Sequence, residues 1–226
     1  ELPAYTSFRE AGWHKLPLPD KQNIMFADFR LDPDQYPLKT PSGKIEVFSS
    51  TVASFAYDDC LGHPAWFAPP EWLGAAEDTY PLHLLSNQPR TKLHSQLDQG
   101  PVAAAAKIKG REEVQMHKDD AAARGIEEGD IIRLFNARGA IYVGVRITDQ
   151  IRHGVVMVPT GAWLDLDKDD PELCKHGNPN MLAPDRPTSK LAQGPAAHSC
   201  LVQAEAVDQT RLPEVTAFIP PVIEKG

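Results

Sequence analysis

The chain has 226 residues, of which 42% are hydrophobic and 24% are charged, as in ordinary soluble globular proteins of one or two domains. Its net charge of −8 at pH 7 argues against general binding to nucleic acid or to anionic membranes, because both need a basic surface. No apolar run has the length of a transmembrane helix, and the first residues, ELPAYTSFREAGW, lack the basic and apolar regions of a secretory signal.

The cysteine pattern gives little support for a metal site. Cys60, Cys174 and Cys200 are widely spaced and form no CxxC pair, so a zinc knuckle or an iron–sulfur cluster built by this chain alone is not expected. Cys60 precedes His63, and Cys174 precedes His176, at spacings that metal ligands also use. Free structural thiols are the more common explanation of such pairs, and we therefore predict no metal ligand.

Residues 1–76 are irregular in pattern and rich in proline and aromatic side chains. They contain one predicted strand, Lys44–Ser49, which follows a turn at Thr40–Gly43. Periodic hydrophobicity is too sparse here to form a separate core. We interpret this part of the chain as the trailing edge of a larger structure or as a wrapping arm.

Regular patterns begin near residue 80. The predicted elements, in chain order, are a strand at 82–85, a helical turn at 120–124 that Asp119 or Asp120 would cap and Gly125 would end, and strands at 131–135, 140–148, 155–159 and 200–204. In the segment 140–148, alternate residues are apolar, which predicts one buried face: Ile141, Val143, Val145 and Ile147. Short strands with one brief helix and glycine-marked reversals predict a small closed β-barrel.

Two polar loops carry the residues of greatest chemical interest. They are SNQPRTKLHSQLDQG at 86–100 and HGNPNMLAPDRPTSKLAQGPAAH at 176–198, and both adjoin predicted strands. Asn and Gln each offer a donor and an acceptor, so such loops suit a flat heterocycle with attached phosphates. The alternative is that they are solvated turns, which is the usual role of polar loops.

Four motifs in the same order resemble the C-terminal part of the molybdopterin-dependent dimethyl sulfoxide reductase family. They are TPSGKIEVFS (40–49), YPLHLLSNQPRTKLHSQLD (80–98), DDAAARGIEEGDIIRLFNARGAI (119–141) and the HGNPN…TSKLAQGPAAH run (176–198). The branch they resemble holds trimethylamine-N-oxide, dimethyl sulfoxide and biotin sulfoxide reductases. The resemblance extends from about residue 40 to about residue 220.

The resemblance implies a mainly β fold, a double-psi β-barrel of the aspartate-decarboxylase-like type with short helices, preceded by an irregular arm. Residues 1–76 would be the trailing segment of a preceding catalytic domain, 77–210 the molybdopterin-dinucleotide-binding barrel, and 211–226 a C-terminal tail. The implied cofactor is the bis(molybdopterin guanine dinucleotide) molybdenum cofactor. It would be shared with the N-terminal domains of the same enzyme.

Carried over position by position, the resemblance implies cofactor contacts in both loops: Ser86, Asn87, Gln88, His94, Ser95 and Gln96 in the first, and Asn178, Asn180 and Gln193 in the second. Arg90 and Lys92 would place two positive charges near a pyrophosphate. Three glycines would let the backbone approach the ligand closely: Gly161, Gly177 and Gly194. For Trp163 a role in the site and a role in simple packing both stay open.

The implied function is reduction of S- or N-oxides, of the trimethylamine-N-oxide or biotin sulfoxide type, by oxygen-atom transfer. The molybdenum-ligating serine of this branch lies upstream of the matched region, so no residue of this chain is expected to be catalytic or a metal ligand, and the isolated fragment is expected to be inactive. The expected partners are the N-terminal domains, a small oxide substrate and a cytochrome electron donor, with no nucleic acid and no membrane span.

Two further questions concern the setting of the chain. Most members of this branch are periplasmic, whereas biotin sulfoxide reductase types are cytoplasmic, so a periplasmic location is the first expectation. The rival function is that of a stand-alone double-psi barrel that serves binding or assembly without redox activity. The TPSGKIE segment argues against this rival, because an independent barrel has no use for part of a preceding domain.

Overall fold

The structure, a computed structural model, describes residues 2–18, 20 and 23–219. The chain forms two compact units, one of residues 1–56 and 61–65 and the other of residues 57–60 and 66–226. Among the described residues, every buried hydrophobic side chain of the core lies at residue 82 or beyond, within the second unit. No described helix combines the length and the apolar character needed to cross a membrane.

The first unit contains three short helices: α1 (Tyr5–Ala11), α2 (Ala27–Leu31) and α3 (Ser50–Ser54). Helix α1 ends at Gly12, whose φ of 73° is left-handed and suits a residue without a side chain. Helix α3 is capped by Ser49, whose Oγ accepts a hydrogen bond from the Val52 amide at 3.2 Å.

The predicted strand at Lys44–Ser49 is wrong, since this segment is irregular and no described segment pairs with it. The preceding turn is tight, with the Leu38 amide donating to the Gly43 carbonyl at 2.8 Å. Ile45 and Val47 are 70% and 75% exposed. An alternating pattern gives a strand only where a neighbouring strand offers a hydrogen-bond ladder, and that partner is missing here.

The second unit is built on seven strands and a few short helices. Its strands are β1 (Leu82–Leu85), β2 (Glu113–His117), β3 (Ile131–Asn136), β4 (Gly139–Thr148), β5 (Val155–Met157), β6 (Leu173–Cys174) and β7 (Leu201–Ala206). The helices are α4 (Pro101–Ala106), α5 (Lys118–Ala122) and two single 3₁₀ turns at Leu73–Ala75 and Pro179–Met181.

The strands close into a barrel. Their order is β2-β5-β1-β7-β3-β4, and β4 pairs again with β2 to complete a ring of six strands. The long strand β4 makes this closure possible, because residues 139–144 pair with β3 and residues 144–148 pair with β2. Within the described ring, two pairs are parallel (β1 with β5, β2 with β4) and the other four are antiparallel. The predicted mainly β fold, a double-psi β-barrel, is confirmed.

The core lies inside this ring and follows the predicted alternation of β4. Ile141, Val143 and Val145 are fully buried, and Val114 and Met116 of β2 face them in the same cluster. Each such side chain contributes about 1.5–3 kcal/mol by leaving water. Strand β2 was not predicted, although its EVQMH sequence has the alternation of a strand with one buried face.

Helix α5 begins two residues earlier than predicted, and its cap is His117. The imidazole Nδ1 of His117 accepts the Asp119 amide at 3.2 Å, so the predicted Asp119 or Asp120 cap is wrong. Asp120 is buried instead, and its carboxylate accepts a hydrogen bond at 2.7 Å from the amide of Gly154, which is distant in sequence. Gly125 adopts the predicted left-handed conformation, with a φ of 63°.

Candidate functional site

The two polar loops come together at a concave pocket of about 750 Å³. A third segment, Thr160–Leu164, lies between them and completes the wall. The residues that line the pocket are Gln88, His94, Ser95, Thr160, Gly161, Ala162, Trp163, Leu164, Asn178 and Asn180. Five of the nine predicted cofactor contacts therefore share one pocket, although the two loops lie far apart in sequence.

Backbone and side-chain hydrogen bonds hold the first loop to the middle segment. The Thr160 amide donates to the Asn87 carbonyl at 2.9 Å, and the Thr160 hydroxyl donates to Gln88 Oε1 at 2.9 Å. The Trp163 indole N–H donates to the Ser95 carbonyl at 2.8 Å. These bonds make one continuous wall from two segments.

Gly161 is required by a close approach of two backbones. Its φ is 95°, and a Cβ atom at this position would lie 1.7 Å from the carbonyl oxygen of His94. Gly177 is also crowded by protein, with Glu112 Cβ 2.9 Å from the place of a Cβ. Both glycines thus serve close contacts within the protein, and Gly161 also lines the pocket. The approach of a ligand to these backbones stays a prediction.

The first loop has two non-glycine residues in the left-handed region. His94 has a φ of 50° and Leu97 a φ of 61°. Such a conformation costs about 1–2 kcal/mol for a residue with a side chain, and it persists only where the surroundings enforce it. Strained backbone of this kind concentrates at binding sites, and here it presents His94 and Ser95 to the pocket.

Asn87 borders a second, adjoining pocket of about 340 Å³. Gln88 lines both pockets, and the exposed Arg90 lies in the second one. The Asn87 Oδ1 atom is buried without a hydrogen-bond partner among the described residues. A buried acceptor that lacks a partner costs about 1–3 kcal/mol, so a ligand N–H or O–H at this atom would recover that free energy.

Three predicted contacts, Ser86, Gln96 and Gln193, line neither of these two pockets. The Ser86 amide donates to His198 Nδ1 at 3.3 Å, and Gln96 is exposed next to Ser95. Gln193 bonds within its own loop, with its Nε2 donating to the carbonyls of Ser189 and Lys190 at 3.4 and 3.3 Å. The cofactor-binding roles of all nine residues stay predictions.

Lys92 does not face a ligand, and the prediction that it meets a pyrophosphate is wrong. Its ammonium group is buried and pairs with Glu112 and, at 2.6 Å, with Asp98. Lys107 joins the same group, 2.9 Å from Asp98 and 3.1 Å from Glu112. These four residues, the buried ion cluster, sum to zero charge. Sequence patterns did not reveal them because charged residues in polar loops are usually solvated.

The electrostatics of the cluster favour its charged form. Burial alone would lower the pKa of Lys92, but its hydrogen bonds to Asp98 and Glu112 outweigh burial and raise that pKa. Burial alone would raise the pKa of Asp98, but hydrogen bonds from both lysines lower it. Asp98 Oδ2 also accepts the Trp163 amide at 3.0 Å. Through this hydrogen bond to Trp163, the cluster stabilises the pocket wall from the buried side.

His176 supports the same wall. Its ring is fully buried, and Nδ1 lies 2.9 Å from the Trp163 carbonyl. A carbonyl oxygen only accepts, so Nδ1 carries the proton, and Nε2 is an acceptor without a partner among the described residues. Burial, followed by the nearby Lys107 charge, lowers the pKa of His176 below its ordinary 6.5. The ring is neutral at pH 7.

This shift predicts an acid-sensitive stability. Below pH 6.5 the unfolded chain binds a proton at His176 before the folded chain does, so the free energy of unfolding should fall as the pH drops from about 6.5. The depressed pKa values of Asp98 and Asp165 act in a separate window, below their unfolded value of 3.8. Urea unfolding at several pH values would measure the slope. His176→Gln should flatten it between about pH 7 and pH 5, and an unchanged slope in this variant would contradict the assignment.

The described residues contain no group of three or more His, Cys, Asp or Glu side chains suited to hold a metal ion. All three cysteines are free thiols. Burial raises the pKa of Cys200 to about 11, which keeps this thiol protonated and unreactive.

The donor set of the pocket fits a polar heterocycle with an attached phosphate chain. Amide, hydroxyl and imidazole groups line it, and Asn87 Oδ1 and the exposed Arg90 guanidinium lie at the adjoining pocket. Such neutral donors and acceptors form hydrogen bonds with the polar edges of a heterocyclic ring, whereas a guanidinium pairs with phosphate oxygens.

Comparison with known proteins shows the family. Residues 82–201, more than half of the chain, match the family model described as Molydopterin dinucleotide binding domain. The chain is 44% identical over 207 residues to the biotin sulfoxide reductase of Cereibacter sphaeroides, which covers 91% of this chain and 27% of that protein. It is 39% identical over 224 residues to the dimethyl sulfoxide/trimethylamine N-oxide reductase of Rhodobacter capsulatus, covering 98% of this chain and 27% of that protein.

The chain is also 47% identical over 199 residues to trimethylamine-N-oxide reductase 1 of Escherichia coli O157:H7, covering 86% of this chain and 23% of that protein. It thus spans about a quarter of the length of these curated relatives. Among solved structures, the acetylene hydratase of Pelobacter acetylenicus shares the fold, with a TM-score of 0.62, 19% identity, and coverage of 78% of this chain and 25% of that one. This chain therefore belongs to the molybdopterin dinucleotide-binding domains of the dimethyl sulfoxide reductase family.

Proposed function

We propose that this chain is the dinucleotide-binding part of a larger molybdenum enzyme that reduces S- or N-oxides by oxygen-atom transfer. The observation that carries the proposal is the meeting of the two polar loops at one pocket, beside the unpartnered Asn87 Oδ1. The enzyme names of the relatives supply the reaction class, with biotin sulfoxide and trimethylamine-N-oxide as the leading substrates.

The bis(molybdopterin guanine dinucleotide) cofactor, shared with other domains of the enzyme, would supply the two-electron chemistry. The part of this chain is to bind and orient it. His94, Ser95, Asn178 and Asn180 would contact polar ring edges, and Arg90 would offset the charge of a phosphate group. No residue of this chain is assigned a catalytic or metal-ligating role.

The setting of the enzyme belongs to the same proposal. We propose a periplasmic location and a cytochrome electron donor, since most members of this branch are exported. The rival function, a barrel for binding or assembly without redox activity, predicts a native gene product of about this length that contains no molybdenum.

The proposal is tested with the complete gene product, purified from a host that makes the cofactor. We expect stoichiometric molybdenum, pterin, and guanine nucleotide after acid hydrolysis, together with oxide reduction by a reduced dye. The 226-residue chain alone should show no turnover. A complete protein that lacks pterin, or an isolated chain that turns over oxide, would contradict the proposal.

Substitutions in the pocket should weaken cofactor retention. We expect Asn87→Ala and Asn180→Ala each to cost about 1–3 kcal/mol of cofactor binding, because a buried heteroatom of the ligand loses its partner. The resemblance predicts the same direction for Gln193→Ala. Gln99→Ala, an exposed residue of the first loop outside the pocket lining, is the matched control and should retain the wild-type pterin content.

A further inference from the structure

The segment Pro213–Phe218, here named the strap, is fastened to the barrel by buried groups. The Arg111 side chain is 4% exposed, and its Nη2 donates to the Pro213 carbonyl at 2.5 Å. A second amino group of the same guanidinium, Nη1, donates to the Lys109 carbonyl at 3.1 Å. The start of the strap is thus bound to a buried residue that lies two positions before β2.

Thr216 completes a buried ionic pair. Its amide donates to Asp165 Oδ2 and its hydroxyl to Asp165 Oδ1, both at 2.7 Å. The Lys175 ammonium group donates to the Thr216 hydroxyl at 3.0 Å and lies 3.2 Å from Asp165. Asp165 and Lys175 are 7% and 6% exposed. A carboxylate so deeply buried needs these partners, since an unpaired buried charge is strongly unfavourable.

Phe218 brings the strap to the pocket wall. Its ring centroid lies 5.3 Å from that of Trp163, at an interplanar angle of 68°, and 5.0 Å from that of His176, at 88°. Both are favourable edge-to-face contacts between rings. Trp163 lines the pocket, and His176 binds the Trp163 carbonyl. The Phe218 ring therefore packs against both Trp163 and His176.

The strap is not part of the barrel core. Phe218 is 36% exposed, and neither Phe218 nor Thr216 belongs to the buried hydrophobic cluster. The segment it supports lies outside the strands, since residues 159–165 form no regular element. Loss of the strap contacts is therefore expected to loosen Trp163 more than the barrel, because the core packing stays intact.

We propose that the strap positions Trp163 for dinucleotide binding, with Thr216 and Phe218 as the positioning residues. The inference rests on the proposed function of the pocket. Thr216 fixes Asp165, two residues beyond Trp163, and Phe218 fixes the indole ring itself. Together they keep the indole N–H on the Ser95 carbonyl, where it joins the first loop to the middle segment.

The test has two readouts, of which one needs no cofactor. In the 226-residue chain, NMR would follow hydrogen exchange at the indole N–H of Trp163. In the complete gene product, pterin content would follow cofactor retention. For Thr216→Val and Phe218→Leu we expect about tenfold faster indole exchange and about tenfold weaker cofactor retention. Thr216→Val removes the hydroxyl hydrogen bond to Asp165, Phe218→Leu removes two edge-to-face ring contacts, and losses of this kind have this size.

Matched variants separate positioning from general damage. Thr216→Ser keeps the hydroxyl and should restore both readouts, and Ile219→Ala, a neighbouring residue that is 61% exposed, should change neither. Indole exchange that stays slow in both test variants would overturn the proposal, as would fast exchange with full cofactor retention. A complete wild-type protein without cofactor would contradict the proposed function instead, and the exchange rates alone would then decide whether the strap holds Trp163.

Discussion

Lys92→Met is expected to lower the free energy of unfolding by about 3 kcal/mol, because removal of one partner leaves a buried charge uncompensated. The variant would leave Asp98 and Glu112 facing Lys107 alone, with a net charge of −1 inside the protein. The loss lies at the lower end of the usual range for such changes, since Lys107 still contacts both carboxylates. Urea unfolding followed by circular dichroism measures it.

The control for this prediction is Lys190→Met. Lys190 also pairs with a carboxylate, Asp58, at 2.7 Å, but both side chains are largely exposed. Solvent screens such a pair, so its removal should leave the unfolding midpoint unchanged. Equal effects of the two substitutions would show that burial of the cluster does not determine its contribution to the free energy of unfolding.

Gly161→Ala should have the largest effect on the pocket. The backbone conformation alone disfavours alanine by about 1–2 kcal/mol, and the new Cβ would lie 1.7 Å from the His94 carbonyl oxygen. The loop that presents His94 and Ser95 must then move away from Trp163. We expect cofactor retention in the complete gene product to fall by at least about tenfold, measured as pterin per protein.

Gly129→Ala is the matched control, outside the pocket lining. Gly129 has a φ of 81°, so alanine meets comparable backbone strain, but no atom lies within 4 Å of the place of its Cβ. This variant should retain the cofactor as the wild type does. Wild-type retention in Gly161→Ala would mean that the contact between the first loop and the middle segment is not needed for binding.

Much of the barrel could be predicted because its strands carry their own pattern. The alternation of Ile141, Val143 and Val145 identifies a buried face without knowledge of any partner. The segment Lys44–Ser49 has a comparable pattern, but no described strand pairs with it and it forms no strand itself. The pattern alone is therefore not sufficient. Strand β2 has the same alternation, but only Val114 and Met116 carry it, and two apolar residues are too short a pattern to identify a strand.

The site was predictable only in part. The resemblance brought the two loops together, and the structure places His94, Ser95, Asn178 and Asn180 at one pocket. The sequence could not reveal the buried ion cluster that contacts the pocket wall, because the cluster consists of residue types that usually face solvent. The strap was also missed, because its contacts with the pocket wall join residues distant in sequence.

The position of the bound dinucleotide tests the central claim most directly. A structure of the complete gene product with its cofactor would show which residues contact the pterin and nucleotide groups. We predict ligand atoms within hydrogen-bonding distance of Asn87 Oδ1 and against the wall of His94, Ser95 and Asn180. A dinucleotide bound elsewhere on the barrel, with this pocket open to solvent, would contradict the account.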